Sequence, residues 1–185
     1  MRTFIALELP GQLRTAIGEL SGTLRSELGE MKWVRPGNIH LTLRFLGEID
    51  QPRLPDVSSA VAGAAAEVPP FELRVAEVGH FGSPRNPRVL WLGLEQEEHL
   101  SSLAAGIENR LEAAGFGRAD KPFRAHLTLA RAGKKPGPPP DWQRLASLTP
   151  DAWPLWPIEE VCVIESTLTP RGPIYDIQSR HQLEG

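Results

Sequence analysis

The chain is poor in several features whose absence narrows what it can be. Among its 185 residues there is one cysteine, Cys162, so no internal disulfide can form. No cysteine pair and no H-E-x-x-H exist to build a zinc site, and neither metal nor cofactor is expected. Cys162 sits in the apolar run Val161-Cys162-Val163-Ile164 and reads as a small buried hydrophobe. No stretch approaches the ~20 apolar residues of a spanning helix. Glu8 and Pro10 interrupt the start before any leader-like run, so a cytoplasmic protein with no membrane partner is expected. Neither G-x-x-x-x-G-K-[ST] nor G-x-G-x-x-G occurs, which argues against nucleoside-triphosphate chemistry. Excess positive charge is also missing. A formal net charge of −3 argues against a protein that coats long nucleic acid, yet leaves room for a local patch that holds one terminal phosphate.

What is present is one tetrapeptide twice: His40-Leu41-Thr42-Leu43 and His126-Leu127-Thr128-Leu129. In a strand, alternate side chains share a face, so each copy sends His and Thr to one side and two leucines to the core. If the copies meet across a cleft, two imidazoles and two hydroxyls surround one small site. One imidazole can take a proton while the other gives one, and the hydroxyls can donate to an anionic oxygen. A single His-x-Thr is weak as a motif, but here the context repeats as well. At the same offset of 86, Phe4-Ile5-Ala6-Leu7 falls on Leu90-Trp91-Leu92-Gly93. Leu13, Ile17 and Leu28 fall on His99, Leu103 and Ala114, Gly29 on Gly115 and Gly47 on Gly133. Such repetition points to a duplicated half-domain with pseudo-two-fold symmetry.

Strand and helix signals alternate along the chain. Residues 3–9 read as a strand, 12–28 as a helix, and 39–46 as the first motif strand after a Pro36-Gly37 turn. A helix is expected over 54–68, an alternating strand over 71–78, a loop over 82–87 and a strand over 89–94. A helix ending at Gly115, the second motif strand over 123–131 and a loop over 133–140 come next. A short helix near Trp142 and strands over 158–168 and 174–179 complete the chain. The fold class is α+β: bilobal, two antiparallel β-sheets with helices on the outside, and internal duplication around a central cleft. Residues 1–185 form a single domain, and a monomer is expected because the duplication supplies both halves of the cleft.

The chain also resembles a known family. Two H-x-T-x motifs at this separation are the signature of the two-histidine phosphoesterases. Arg2-Thr3-Phe4-Ile5-Ala6-Leu7, Trp33-Val34-Arg35-Pro36 before His40-Leu41-Thr42-Leu43-Arg44-Phe45-Leu46-Gly47, and His126-Leu127-Thr128-Leu129-Ala130-Arg131 look like its RNA 2′,3′-cyclic phosphodiesterase branch, also called 2′-5′ RNA ligase-like. The resemblance covers essentially the whole chain. It implies metal-independent hydrolysis of a terminal 2′,3′-cyclic phosphate to a 2′-phosphate, with 2′-5′ ligation as the reverse reaction. By resemblance, His126 is the proton acceptor that activates water and His40 the proton donor to the departing 3′ oxygen. The near-symmetric sequence cannot itself assign those roles. Thr42 and Thr128 would bind the non-bridging oxygens.

Arg131, which resembles the family's motif-flanking arginine, is a phosphate-binding candidate. Phe4 and Trp33 are candidates for stacking on a terminal base. Arg44 is a further candidate for substrate binding, with Lys32, Arg35, Arg124, Lys134 and Lys135 as nearby charges. Ser166, Thr167 and Tyr175 could approach the groove. The partner is an RNA 3′ end or a small cyclic nucleotide. The rival readings are a phosphodiesterase for small nucleotides or 2′-5′ oligonucleotides, and a non-catalytic RNA-binding module.

Overall fold

The computed structural model describes residues 1–28, 30–134 and 137–185; the expectations for Gly29 and Lys135 lie outside the described residues. The elements run β1 (Arg2–Glu8), α1 (Gly11–Leu28), β2 (Met31–Trp33), a 3-10 turn (Pro36–Asn38), β3 (His40–Glu48), a second 3-10 turn (Gln51–Arg53), α2 (Leu54–Ala65), β4 (Phe71–Leu73), β5 (Val75–Ser83) and β6 (Asn86–Leu94). Then come α3 (Glu98–Ala113), β7 (His126–Ala132), α4 (Trp142–Ser147), β8 (Trp156–Ile158), β9 (Glu160–Thr169) and β10 (Gly172–Gln182). The expected α+β architecture is present as two four-stranded sheets, ordered β10-β9-β1-β3 and β2-β7-β6-β5, with a two-stranded β4-β8 sheet. All described pairings are antiparallel.

Each helix forms because it has one apolar stripe to bury. On α1 the stripe is Leu13, Ile17, Leu20, Leu24 and Leu28; on α3 it is Leu100, Leu103, Ala104, Ile107 and Leu111. The Glu97 carboxylate accepts from the Leu100 N–H and caps the start of α3. At its other end Gly115 adopts φ +84, which closes the last turn. α2 and α3 lie against the β3, β9 and β10 side, whereas α1 and α4 lie against β2 and β5. A large buried core of Leu, Ile, Val and Ala side chains fills the space between these elements, with Trp156 within it. Phe4, Ala6, Cys162 and Ile164 form a second, small cluster against which Tyr175 packs.

The duplication is physical and the halves are interleaved. Strand β5, from the first half of the sequence, joins the β7-β6 sheet, while its counterpart β9 joins the β1-β3 sheet. Each four-stranded sheet therefore holds two strands from each half. The halves also touch through β4 and β8, with Phe71 opposite Ile158 and Leu73 opposite Trp156.

The gap-free offset of 86 needs correction outside the motifs. Ala6, Leu7 and Glu8 pair with Thr42, Leu41 and His40, while Trp91, Leu92 and Gly93 pair with Thr128, Leu127 and His126. The first strands therefore correspond at 85, so Leu7 matches Leu92 and not Gly93. Because side chains alternate, that single slip exchanges faces. The helices slip the other way: buried Leu13, Ile17, Leu20 and Leu24 correspond to Leu100, Ala104, Ile107 and Leu111 at 87. Further boundaries differ from expectation: the second motif strand begins at His126 and not at 123, and Ile158 lies in β8, apart from β9. The run over 71–78 is broken at Arg74 because its two pieces join different sheets. Residues 82–87 belong largely to the β5–β6 hairpin, with Ser83 opposite Asn86.

Candidate active site

Both motif strands carry their leucines inward. Leu41, Leu127 and Leu129 have no exposed surface and Leu43 is 7% exposed, which leaves His40, Thr42, His126 and Thr128 half-buried on the other face. All four line one cleft of ≈ 440 Å³. The expected convergence of the two copies is thus found, with β3 and β7 meeting where the sheets abut.

A bulge in each strand then decides how the residues beyond the motif face. The pairing jumps from Ala6–Thr42 to Ile5–Arg44, and likewise from Trp91–Thr128 to Leu90–Ala130. Leu43 and Leu129 are the extra residues. A bulge adds one residue and so reverses the facing of everything after it. In a regular strand Arg44 and Ala130 would share the face of the histidines. Instead both are buried, and Phe45 and Arg131 emerge at the cleft.

Arg44, expected to bind substrate, is accordingly placed elsewhere. It is 8% exposed, pairs with Glu108 of α3 at 3.1 Å and donates to the Gly117 carbonyl at 3.0 Å. The other candidates divide. Arg131 and Trp33 line the cleft. Trp33 has the Arg25 guanidinium 5.6 Å from its ring centroid. Phe4 also lines the cleft, but it is 2% exposed and stacks on His40 with centroids 4.7 Å apart. It supports an imidazole and presents no free face to a base.

Arg35 and Ser166 reach the cleft, whereas Lys32, Arg124, Lys134 and Thr167 are not among its lining residues. Tyr175 contacts His40 edge-on at 5.2 Å. Sequence reasoning missed Arg2, Asn38, Phe45 and Arg171 in the lining, and Phe81 and Trp91 against His126 at 4.9 and 6.5 Å. Trp91 packs over Gly79, where a Cβ would lie 2.2 Å from the indole, so only glycine fits there.

The two histidines are held alike. His40 Nδ1 donates to the Asn38 carbonyl at 2.8 Å and His126 Nδ1 to the Arg124 carbonyl at 2.7 Å. A carbonyl only accepts, so in both rings Nδ1 carries the proton and Nε2 is left to exchange one. Burial holds both imidazoles below the usual histidine value, partly offset in each by that carbonyl. Their charged neighbours oppose one another. Glu8, directly across from His40, favours its protonated form, whereas Arg131 favours neutral His126. Opposite His126 the equivalent of Glu8 is Gly93.

Glu8 in turn pairs with Arg180 at 2.9 Å, and Arg180 also holds Glu160. Among the described residues the one cluster with metal-ligand character is Glu8, Glu160 and Cys162, and the Arg180 guanidinium pairs with both of its carboxylates. Cys162 is 1% exposed and burial pushes its thiol up to about 11, in keeping with a hydrophobic role. No helix among the described residues is long and apolar enough to cross a membrane.

Two imidazoles with free Nε2 atoms, two hydroxyls and several guanidiniums around one cleft form an acid–base site for a phosphate ester. The chain belongs to the LigT-like phosphoesterase family, whose model matches it twice in tandem, over residues 7–91 and 92–175. A Thermus thermophilus protein named RNA 2′,3′-cyclic phosphodiesterase is 36% identical, over 100% of this chain and 91% of its own. One of the same name from Archaeoglobus fulgidus is 33% identical, over 95% and 96%. Among solved structures, a Thermus thermophilus protein superposes with a TM-score of 0.82 at 33% identity, covering 100% and 99%. E. coli LigT complexed with 3′-AMP gives 0.72 at 26% identity, covering 100% and 98%.

Proposed function

We propose that this protein hydrolyses RNA ends carrying a 2′,3′-cyclic phosphate and leaves a 2′-phosphate, acting as a monomer and one domain over residues 1–185. The observation that carries the reading is the pair of tethered histidines on one cleft with oppositely charged neighbours. His126, kept neutral beside Arg131, takes a proton from water as its oxygen bonds to phosphorus. The P–O3′ bond breaks, and His40, whose proton affinity is lowered by burial and partly restored by the Asn38 carbonyl and Glu8, delivers a proton to the departing oxygen. Thr42, Thr128 and Arg131 stabilise the charge that grows on the non-bridging oxygens. Each transfer contributes about 10²–10⁴-fold in rate. The names of the relatives and the 3′-AMP held by E. coli LigT support the same substrate chemistry.

The test is an RNA oligomer ending in 2′,3′-cyclic phosphate, with the product monophosphate identified after turnover. A 2′-phosphate formed equally well in chelator is expected. A 3′-phosphate product would reverse the roles of the leaving oxygens, and turnover restored only by a divalent ion would refute the two-histidine chemistry.

A further inference from the structure

Four arginines line the cleft, Arg2, Arg35, Arg131 and Arg171, and among the described residues no carboxylate does. None of the four takes part in the ion pairs found among the described residues, although most of the paired arginines sit on the outer surface. On a chain of net charge −3 this concentration is local and uncompensated. A cyclic phosphodiester carries one negative charge, so the cleft holds more cationic capacity than the reacting group alone requires.

The arginines also fall into separate places. Arg131 follows the second bulge and acts on His126. Arg2 begins β1 on the other side, and its guanidinium carbon lies 4.8 Å from the centroid of the Phe45 ring. Phe45 occupies the position equivalent to Arg131, so the first half places an aromatic ring and a borrowed guanidinium where the second half has a single cation. A cation held over a ring face is attracted by the ring quadrupole, and a guanidinium keeps a fork of N–H donors suited to a bidentate anion. Arg171 stands at the β9–β10 turn near Leu168. Phe45 is 47% and Leu168 65% exposed, and both face the cleft. Solvent-facing apolar surface beside these guanidiniums matches the two needs of a nucleotide, a face for the base and donors for its phosphate.

We propose that Arg2, Phe45, Leu168 and Arg171 form a second nucleotide subsite, which takes the base and phosphodiester immediately 5′ of the cyclic phosphate. The inference rests on the phosphodiesterase reading above and narrows it: the substrate is an oligonucleotide end of two or more residues, and a free cyclic mononucleotide is a poor one. The 5′ phosphodiester supplies the additional negative charge that the cleft accommodates.

The experiment compares kcat/KM for adenosine 2′,3′-cyclic phosphate with that for a diadenosine ending in the same group, in the wild type, Arg2→Gln and Phe45→Ala. The wild type should favour the dinucleotide by about tenfold or more, the effect of one additional charge-assisted contact. Each variant should lose most of that preference, and its remaining turnover of the mononucleotide reports that it is folded. The slope of log kcat/KM against log salt should be steeper for the dinucleotide by about 0.7 in the wild type, one further phosphate contact, and this difference should vanish in Arg2→Gln. Equal kcat/KM for the two substrates in the wild type, or a full preference surviving in both variants, would overturn the subsite. Turnover of neither substrate would instead remove the phosphodiesterase reading, and the subsite with it.

Discussion

The strands β3 and β7 carry the same four residues, the same bulge and the same imidazole tether, yet the two histidines stand in different company. His40 has Phe4 stacked on it, Tyr175 against its edge and Glu8 across the ladder. His126 has Phe81 and Trp91 nearby, Gly93 across the ladder and the Arg131 charge close to it. The shared parts fix where the ring nitrogens sit; the unshared parts give the two rings different electrostatic surroundings. Duplication alone would yield two interchangeable groups. In the mechanism proposed above, the carboxylate beside His40 and the guanidinium beside His126 are what distinguish the donor from the acceptor.

Replacing either histidine by alanine tests the shared part and should cost most, about 10²–10⁴-fold in kcat on a cyclic-phosphate RNA. Near-normal turnover in His126→Ala would show that the proton acceptor lies elsewhere. Thr42→Ala and Thr128→Ala should each cost less, on the order of 10²-fold, because a positioned donor to the growing oxyanion is lost while proton transfer continues. If one threonine proves silent, the two strands differ in more than their neighbours. Arg131→Gln should lower kcat/KM by about tenfold through the lost contact to phosphate.

The same substitution sharpens the comparison through pH. Rate should follow a bell whose acidic limb reports deprotonation of the acceptor and whose alkaline limb reports loss of the donor's proton, as properties of the pair. Removing the Arg131 charge lets the His126 value rise, so the acidic limb should move to higher pH. Glu8→Gln withdraws support from protonated His40, so the alkaline limb should move to lower pH. The bell thus narrows from opposite sides in the two variants. Shifts of the same sign in both would contradict the division of roles.

Arg44→Met should have the smallest effect on activity, within about threefold, since the side chain serves packing and not the cleft. Its cost should appear in chemical denaturation instead, as about 2–4 kcal/mol for breaking a largely buried pair.

Much of this site was legible because the motif obeys a period of two. Alternation alone put Leu41 and Leu127 in the core and the His and Thr side chains on a common face, and repetition alone predicted one shared cleft. What the sequence could not show is where alternation stops. Nothing in Leu43-Arg44 or Leu129-Ala130 announces a bulge, because the bulge is set by how β3 and β7 pair with β1 and β6. Arg44 therefore looked like a ligand and is a structural ion pair, while Phe45 went unnoticed. Arg131 reached the cleft because of the bulge, and unbroken alternation would have turned it away. Similarly, the uniform offset of 86 hid slips to 85 and 87, since loop lengths between strand and helix leave no apolar pattern to read. The α+β class, the bilobal layout and the placement of most elements were readable from periodicity and from turn residues. The partner of each strand was not, because β5 and β9 exchange sheets over distances that no local signal spans.

That exchange also sets a timetable for making the enzyme. Strand β1 is sandwiched between β3 and β9, with Thr3 beside Glu165, so one of its edges stays unfilled while most of the chain is being made. Tyr175, which abuts His40, arrives later still. During synthesis the first motif is exported from the ribosome early but has no finished seat until the last strands emerge. A ribosome-bound chain stalled before residue 160 should therefore expose β1 to protease, and one extended past β10 should not. The cleft that gathers His40 and His126 also needs residues of β9 and β10, so no product of translation that stops before them should carry a complete one.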